Sequence, residues 1–330
     1  MDVTQTAIAH SNIALVKYWG KRDIRLNLPE MGSISVTLSD IYTRSTVTFS
    51  DRLETDELIL NRKRVQGEQL TRVSRFFDLI RKKAGITTRA EVISENNFPT
   101  GAGLASSASG FAALALAGSR ATSVFLTPAQ VSELARRGSG SAARSIFGGF
   151  VEMKPGVESD GSDAVAIPLA DPDFWRLNWL IVITSDLKKK IGSTDGMELS
   201  RKTSPYYRAW IEATARDLDQ MRQAILRKNF EKMGELMEHS CLKMHALTLS
   251  TKPALVYWNP VTLAVMHKIY QLRREGLRVY FTIDAGPQVK TVCLPEDTDL
   301  IRDALESVPG VKRIIQTSAG PAAQLIEKKQ

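Results

Sequence analysis

A glycine-rich loop that runs directly into an alanine-rich apolar segment constrains the fold of this chain more than any other feature. The loop covers residues 97–108, with the sequence NFPTGAGLASSA, and the apolar segment covers residues 106–122. The composition of the second segment predicts a buried helix. Small residues let backbone N–H groups approach a phosphate closely, and a helix N-terminus adds roughly half a positive charge. The pattern alone fits two structures equally well, an anion-binding cradle or a tight turn before a packed helix.

Two common nucleotide motifs do not fit this loop. The pair Gly101 and Gly103 resembles the start of a dinucleotide-binding fingerprint, but the third glycine is missing. The lysine of a Walker A motif is also missing. A phosphate site in this loop would therefore be neither a dinucleotide-binding fingerprint nor a Walker A motif.

Length and periodicity predict two packed domains. The chain has 330 residues, 43% of them hydrophobic, which exceeds the usual size of one compact core. The boundary is predicted near residue 175, giving domains 1–175 and 176–330, with a site between them. Apolar alternation predicts strands at residues 34–38, 45–49, 58–60, 90–94, 147–153, 177–184, 278–282, 291–294 and 313–317. Helical spacing and caps predict helices at residues 70–84, 106–122, 128–138, 205–227, 230–245, 260–275 and 298–308.

Charge and composition limit the classes of molecule that this protein is expected to bind. The net charge is +8, but the basic residues are dispersed and no aromatic-rich RNA-binding signature accompanies them. A small polyanionic substrate is therefore expected, with no specific nucleic acid. No apolar run approaches the roughly 20 residues that cross a bilayer, and residues 1–10 do not resemble a secretory signal. Cys241 and Cys293 are far apart, so both are expected to be reduced in a cytoplasmic protein without membrane contact.

Three further segments carry groups suited to phosphate or carboxylate chemistry. Residues 17–23 (KYWGKRD) place two lysines and an arginine at a strand end, although snorkelling basic side chains would give the same pattern. Residues 136–145 (RRGSGSAARS) alternate glycine and serine before Arg144, which suits a nest of donors or a flexible helix cap. In residues 282–287 (TIDAGP) an apolar strand ends at Asp284, a candidate base or a turn former.

In this order the segments resemble the GHMP kinase superfamily and, within it, the diphosphomevalonate decarboxylases. The superfamily phosphate loop, P-x-x-x-G-L-x-S-S-A, matches residues 99–108. Four segments resemble the decarboxylase branch: residues 12–14 with 17–23, residues 138–144 with 148–149, residues 192–197 and residues 284–287. The resemblance implies an α+β fold, with an N-terminal domain like domain 2 of ribosomal protein S5 packed on a ferredoxin-like C-terminal domain.

The resemblance also implies a reaction. Family members transfer the γ-phosphoryl group of ATP to the 3-hydroxyl of mevalonate 5-diphosphate, then release phosphate and CO2 to give isopentenyl diphosphate in isoprenoid biosynthesis. Asp284, Lys17 and Arg144 match the family's catalytic residues. ATP and Mg²⁺ are the expected co-substrate and cofactor, and relatives are often homodimers.

Other roles carried over by the resemblance concern binding. The matches to substrate contacts are Tyr18, Lys21, Arg72, Ser139, Ser141, Ser193 and Thr194. The matches to ATP contacts are Asn97, Pro99, Gly101, Ala102, Gly103, Leu104, Ala105, Ser106 and Ser107, with Ser107 also a candidate Mg²⁺ contact.

The chain departs from the family pattern near the substrate. Where relatives have Asn-Ser-Ser-Leu-Ser, residues 31–35 are MGSIS, and Gln288 replaces the usual asparagine. A related branch acts on mevalonate 5-monophosphate, so the length of the phosphate tail stays open, with the diphosphate favoured by Lys21 and Arg144. A GHMP kinase that stops at the phosphorylated product is the further alternative.

Overall fold

The computed structural model describes residues 3–98, 105–187 and 191–326. These residues form two principal β-sheets and eight α-helices, which confirms the predicted α+β class.

The described strands are β1 (Val3–Val16), β2 (Lys21–Asp23), β3 (Leu28–Pro29), β4 (Ser33–Ser50), β5 (Glu57–Leu60), β6 (Lys63–Val65), β7 (Arg89–Asn96), β8 (Phe150–Met153), β9 (Ala166–Ala170), β10 (Asn178–Ile183), β11 (Val279–Ile283), β12 (Val289–Cys293), β13 (Arg313–Thr317) and β14 (Gln324–Leu325). The described α-helices are α1 (Glu68–Ala84), α2 (Ser106–Ala121), α3 (Pro128–Gly138), α4 (Ser193–Thr203), α5 (Tyr207–Leu226), α6 (Phe230–Leu249), α7 (Pro260–Arg274) and α8 (Thr298–Glu306).

The first sheet has the strand order β14-β1-β4-β7-β5-β6, and β8 pairs with the beginning of β4 and with β9. Helix α2 packs against β1 and β4. Its alanines, including Ala108, Ala112 and Ala115, are fully buried, as the apolar run predicted. Small side chains let this helix approach the sheet closely, so its N-terminus lies near the end of β1.

The second sheet is antiparallel, with the order β11-β12-β10-β13. Helices α6 and α7 pack on β11. One apolar cluster contains Leu15 and Phe150 from the first half of the chain together with Trp179, Met221 and Met237 from the second half. The two halves therefore share a continuous core, which holds the ends of β1 and β11 in a constant relationship.

Helix α3 begins where its sequence predicted. The Thr127 hydroxyl accepts a hydrogen bond from the Gln130 N–H, and the Gln130 side chain accepts one from the Thr127 N–H. Pro128 occupies the first helical position, where it has no N–H to leave unpaired. This capping box is confirmed, and it fixes the direction in which the chain leaves Gly138.

The structure corrects the prediction of two separate strands at residues 34–38 and 45–49. Strand β4 runs without interruption from Ser33 to Ser50. The polar residues between the two predicted strands obtain partners from the end of the chain: Ser39 N–H donates to the Ser318 carbonyl at 2.9 Å, and Asp40 N–H donates to Thr317 Oγ1 at 3.1 Å. These contacts support the backbone between the two predicted strands, so the strand continues through it.

Two other segments also differ from their local patterns. Residues 193–203, which read alone as a loop around Ser193 and Thr194, form helix α4. The glycine-serine segment, for which the sequence left open a nest of donors or a flexible helix cap, contains a 3-10 helix (Gly140–Ile146) whose Ala142, Ala143 and Arg144 are buried. Packing orders both segments.

The last described strand returns to the first sheet. Gln324 and Leu325 of β14 pair with Ile8 and Ala7 of β1, and Ala319 forms a bridge with Leu38. Strand β14, late in the sequence, therefore belongs to the same sheet as β1.

Cys241 and Cys293 are free and buried, as expected. Within the three described ranges, no helix has the length and apolar content required to span a membrane.

Candidate active site

Asp284 lies directly after β11, and two buried lysines hold its carboxylate. Lys17 Nζ is 2.5 Å from Oδ1, and Lys290 Nζ is 3.1 Å from Oδ2. The side chain of Asp284 is 26% exposed, whereas those of Lys17 and Lys290 are 1% and 2% exposed. The carboxylate therefore opens to the site while both ammonium groups lie behind it.

The charge state of Asp284 follows from these partners. Burial by itself would raise the pKa of the carboxyl, but the ammonium groups of Lys17 and Lys290 outweigh burial and hold that pKa well below its usual value. Asp284 is therefore ionised at neutral pH. It acts as a strong hydrogen-bond acceptor for a hydroxyl group and has little affinity for a proton of its own.

Arg144 is fixed by three neutral acceptors. Its Nε donates to Ser35 Oγ at 2.9 Å, and its two terminal nitrogens donate to Ser33 Oγ at 2.6 Å and Asn12 Oδ1 at 3.1 Å. Burial lowers the pKa of the guanidinium to about 10, while nearby Tyr18 and Asp284 oppose that shift. The group stays charged at neutral pH, and among the described residues no carboxylate forms an ion pair with it. Its charge is available for an anionic ligand.

A second basic region surrounds Lys21. Its Nζ donates to Asn27 Oδ1 at 2.7 Å and to Thr194 Oγ1 at 3.0 Å, which brings the first turn of α4 to the beginning of β2. Arg72 lies nearby on α1 and donates to the Gly138 carbonyl at 2.8 Å. Burial, and then the charge of Arg72, lower the pKa of the Lys21 ammonium to about 8. The sequence left the register of Arg72 open, and the structure brings it to this region.

Hydroxyl groups connect the basic region with the start of α2. Ser139 Oγ lies 3.2 Å from Ser107 Oγ and 3.4 Å from Ser141 Oγ. The Tyr18 hydroxyl is buried beside Gly140 and has no hydrogen-bond partner among the residues that the structure describes. A buried polar group without a partner is unfavourable, so this hydroxyl is suited to a polar ligand.

The nucleotide side is described only from Ala105 onwards. Ala105 has a left-handed backbone, with φ of 56°, and the exposed Ser107 lies in the first turn of α2. Asn97 has another contact: its side chain donates to the Asp40 carbonyl at 2.7 Å and accepts from the Tyr42 N–H at 2.9 Å. The remaining predicted ATP contacts lie outside the described residues and stay predictions: Pro99, Gly101, Ala102, Gly103 and Leu104.

A small cavity joins the carboxylate to the beginning of α2. The residues that line it include Asp284, Lys290, Asn12 on β1 and Ala105. A group of phosphoryl size held at the N-terminus of α2 would thus face Asp284. Ser193 opens α4 beside Thr194, at the opposite end of the site.

The sequence missed several residues that shape the site. Lys290 was not singled out, although a lysine inside the apolar strand β12 is unusual and was the available signal. Ser33 and Ser35 lie in the segment that departs from the family pattern, yet both hold Arg144. The two positions that lose a polar side chain, Met31 and Gly32, pack instead into the apolar surroundings of the site.

Comparison with known proteins gives two family matches. Residues 9–166 match the diphosphomevalonate decarboxylase-like N-terminal domain, and residues 179–328 match the mevalonate 5-diphosphate decarboxylase C-terminal domain.

Individual relatives match over nearly the whole chain. A diphosphomevalonate decarboxylase of Candida albicans is 36% identical, with 95% of each chain covered. The crystal structure of mevalonate diphosphate decarboxylase from Staphylococcus aureus has a TM-score of 0.94, 41% identity and 99% coverage of each chain. A complex described as MDDEF with MVAPP, AMPPCP and magnesium has a TM-score of 0.93 and 39% identity, covering 99% of this chain and 100% of its own.

These likenesses confirm the GHMP kinase fold expected from the phosphate loop. They cover both halves of the chain and include the segments that carry Lys17, Arg144 and Asp284. The chain belongs to the diphosphomevalonate decarboxylase family.

Proposed function

We propose that this protein is an ATP-dependent decarboxylase that converts mevalonate 5-diphosphate to isopentenyl diphosphate. The observation that carries the proposal is the ionised carboxylate of Asp284, held by Lys17 and Lys290 and facing the start of α2. Family membership supports the same reaction.

The catalytic groups have separate tasks in this proposal. Asp284 accepts a hydrogen bond from the substrate 3-hydroxyl and orients its oxygen in line with the γ-phosphorus of ATP. A tertiary alcohol is a poor nucleophile, so this positioning supplies much of the rate enhancement. Because the carboxylate has little affinity for a proton, it takes the hydroxyl proton only after the forming O–P bond has made that proton strongly acidic, as ADP leaves. Lys17 stabilises the charge that develops during transfer.

Arg144 acts in the second step. Its guanidinium holds the substrate carboxylate so that the C1–C2 bond lies ready to break. When that bond breaks, CO2 leaves, and the electron pair forms the new double bond as phosphate departs from C3. The three neutral acceptors of Arg144 support this role because they orient the guanidinium and leave its charge uncompensated.

The phosphate tail is assigned to the opposite end of the site. Lys21 and Arg72 supply positive charge, and Tyr18 has a buried hydroxyl that lacks a partner. The remaining proposed contacts are hydroxyl groups, from Ser139, Ser141, Ser193 and Thr194. The same proposal assigns Pro99 and residues 101–107 to ATP.

Mg²⁺ fits the start of α2. No cluster of three or more His, Cys, Asp or Glu side chains suited to a metal occurs in the described ranges. Mg²⁺ in phosphoryl-transfer sites takes most of its ligands from phosphates and water, so the exposed Ser107 hydroxyl is a sufficient protein contact. When bound, the ion neutralises charge on the phosphate oxygens. Full turnover in excess EDTA would contradict this assignment.

The test of the function is stoichiometry. Purified protein with mevalonate 5-diphosphate, ATP and Mg²⁺ is expected to release one CO2 for each ADP formed. Formation of ADP without CO2 would identify a kinase that stops at the phosphorylated product.

The length of the phosphate tail is tested separately. We expect kcat/KM for mevalonate 5-diphosphate to exceed that for mevalonate 5-monophosphate, because Lys21 and Arg72 together match more than one phosphate charge. The reverse ratio would assign the chain to the monophosphate branch, which yields isopentenyl phosphate. The observation that favours this alternative is the loss of two polar side chains: relatives have polar residues where this chain has Met31 and Gly32.

We also propose a division into two domains near residue 175, a homodimer and a cytoplasmic location. The shift from the first sheet to the second between β9 and β10 supports the boundary. The free, buried cysteines suit a reducing compartment. Light scattering of the purified protein gives the oligomeric state, and fractionation of the source cells gives the location.

A further inference from the structure

Lys290 has a position that the sequence did not predict. It lies in β12, which pairs with β11 on one side and with β10 on the other, so its backbone belongs to the interior of the second sheet. Its backbone partner on β11 is Thr282, two residues before Asp284. Backbone pairing on both sides makes this one of the best-fixed points from which a side chain could reach the carboxylate.

The contacts divide the Asp284 carboxylate between the two halves of the protein. Lys17, directly after β1, reaches Oδ1 at 2.5 Å, while Lys290 reaches Oδ2 at 3.1 Å. A carboxylate with one partner rotates about its terminal bond, whereas one held at each oxygen has a single plane. A buried lysine is rare and unfavourable unless it is paired, and here the partner of Lys290 is the carboxylate of Asp284.

We propose that Lys290 is a positioning residue for the phosphoryl transfer: it fixes the plane of the Asp284 carboxylate from the second sheet, while Lys17 fixes it from the first. This inference rests on the proposed function. Lys290 also lines the cavity between Asp284 and Ala105, so its charge adds to the field in which the phosphoryl group moves.

Other titratable groups face Asp284 as well. Arg144 approaches from the 3-10 helix, and Cys241 and His245 approach from α6. Burial raises the pKa of the Cys241 thiol to about 11 and lowers that of His245 to about 3, so both are neutral near pH 7. Lys17 and Lys290 are thus the charged groups that hold Asp284 ionised.

The experiment compares Lys290→Met, which removes the charge at similar length, with Lys290→Arg, which keeps it. For Lys290→Met we expect kcat to fall at least about tenfold with both KM values within about threefold of wild type. A loss confined to kcat distinguishes positioning of Asp284 from a general structural defect, which would also lower the melting temperature and change the KM values. Lys290→Arg, which keeps a cation at this position, should restore kcat to within about threefold of wild type.

A control and a second variant keep the result interpretable. Lys243 on α6 pairs with Asp217 outside the site, and Lys243→Met should leave kcat and the KM values unchanged. If Lys290→Met does not fold, Lys290→Gln serves the same comparison. Wild-type kcat in a folded, charge-removed variant overturns the proposal. Failure of the wild type to release CO2 would instead overturn the proposed function.

Discussion

Lys17 and Asp284 are 267 positions apart in the sequence, yet their side chains meet at 2.5 Å. The contact joins the end of β1 in the first sheet to the end of β11 in the second. Two backbone segments that meet here are tied to α6: Lys17 N–H donates to Ser240 Oγ at 3.0 Å, and Ile283 N–H donates to Cys241 Sγ at 3.1 Å. The proposed catalytic centre therefore lies where the two sheets meet, and α6 holds the backbone at the ends of both strands there.

Replacing Asp284 with asparagine tests the centre most directly. Asparagine keeps the size but removes the charge and the proton acceptor, so kcat should fall at least about a hundredfold. Asp217→Asn is a matched control, because Asp217 on α5 also pairs with a lysine, Lys243 on α6, but lies outside the site. Steady-state kinetics of both variants checks the prediction, and an Asp284→Asn variant with wild-type kcat would contradict it.

Arg144→Lys should lower kcat/KM about 10- to 100-fold. A lysine ammonium cannot reproduce three fixed donors and a planar fork, and hydrogen bonds to a charged group contribute about 1.5–3 kcal/mol. Arg81 is the control: it is buried and bonds both oxygens of Asp56, at 2.9 and 3.0 Å, away from the site. Arg81→Lys should lower the melting temperature and leave kcat/KM unchanged. Equal kinetic losses in the two variants would show that Arg144 has only a structural role.

Lys21 predicts a pH dependence of substrate capture. Its pKa in the free protein is lowered to about 8, so the ammonium is present below that pH and is lost as the pH rises through it. Hence kcat/KM for the phosphorylated substrate should fall above about pH 8. Lys21→Arg stays protonated, so its profile should remain flat there. A basic limb that is the same in both proteins would assign the titration to another group.

Gly140→Ala should weaken substrate binding through Tyr18. A Cβ at position 140 would lie 2.4 Å from the Tyr18 hydroxyl oxygen and 2.7 Å from its Cζ, so the ring must move. We expect KM for the substrate to rise about tenfold, since a displaced hydroxyl leaves the polar ligand one partner short. Gly110→Ala is the control, because no atom lies within 4 Å of its new Cβ. It should keep KM and gain up to about 1 kcal/mol of stability from a better helix former.

Local signals in the sequence were sufficient for much of the fold. The capping box of Thr127 and Gln130 located the start of α3, and the alanine run located α2. Predicted strand β13 matches the structure at both ends. These elements were predictable because their stabilising contacts come from residues close in sequence or from a simple apolar periodicity.

The motifs in the sequence also determined the family and the identity of most candidate residues, because these motifs keep their residue types in order along the chain. Tertiary structure decided which of those residues meet. Continuity of β4 depends on partners from residues 317 and 318, and burial of Lys290 depends on Asp284. A buried charge or an unpaired polar backbone group is tolerated only when folding brings a partner from a distant part of the sequence to it. Local sequence patterns do not contain that information.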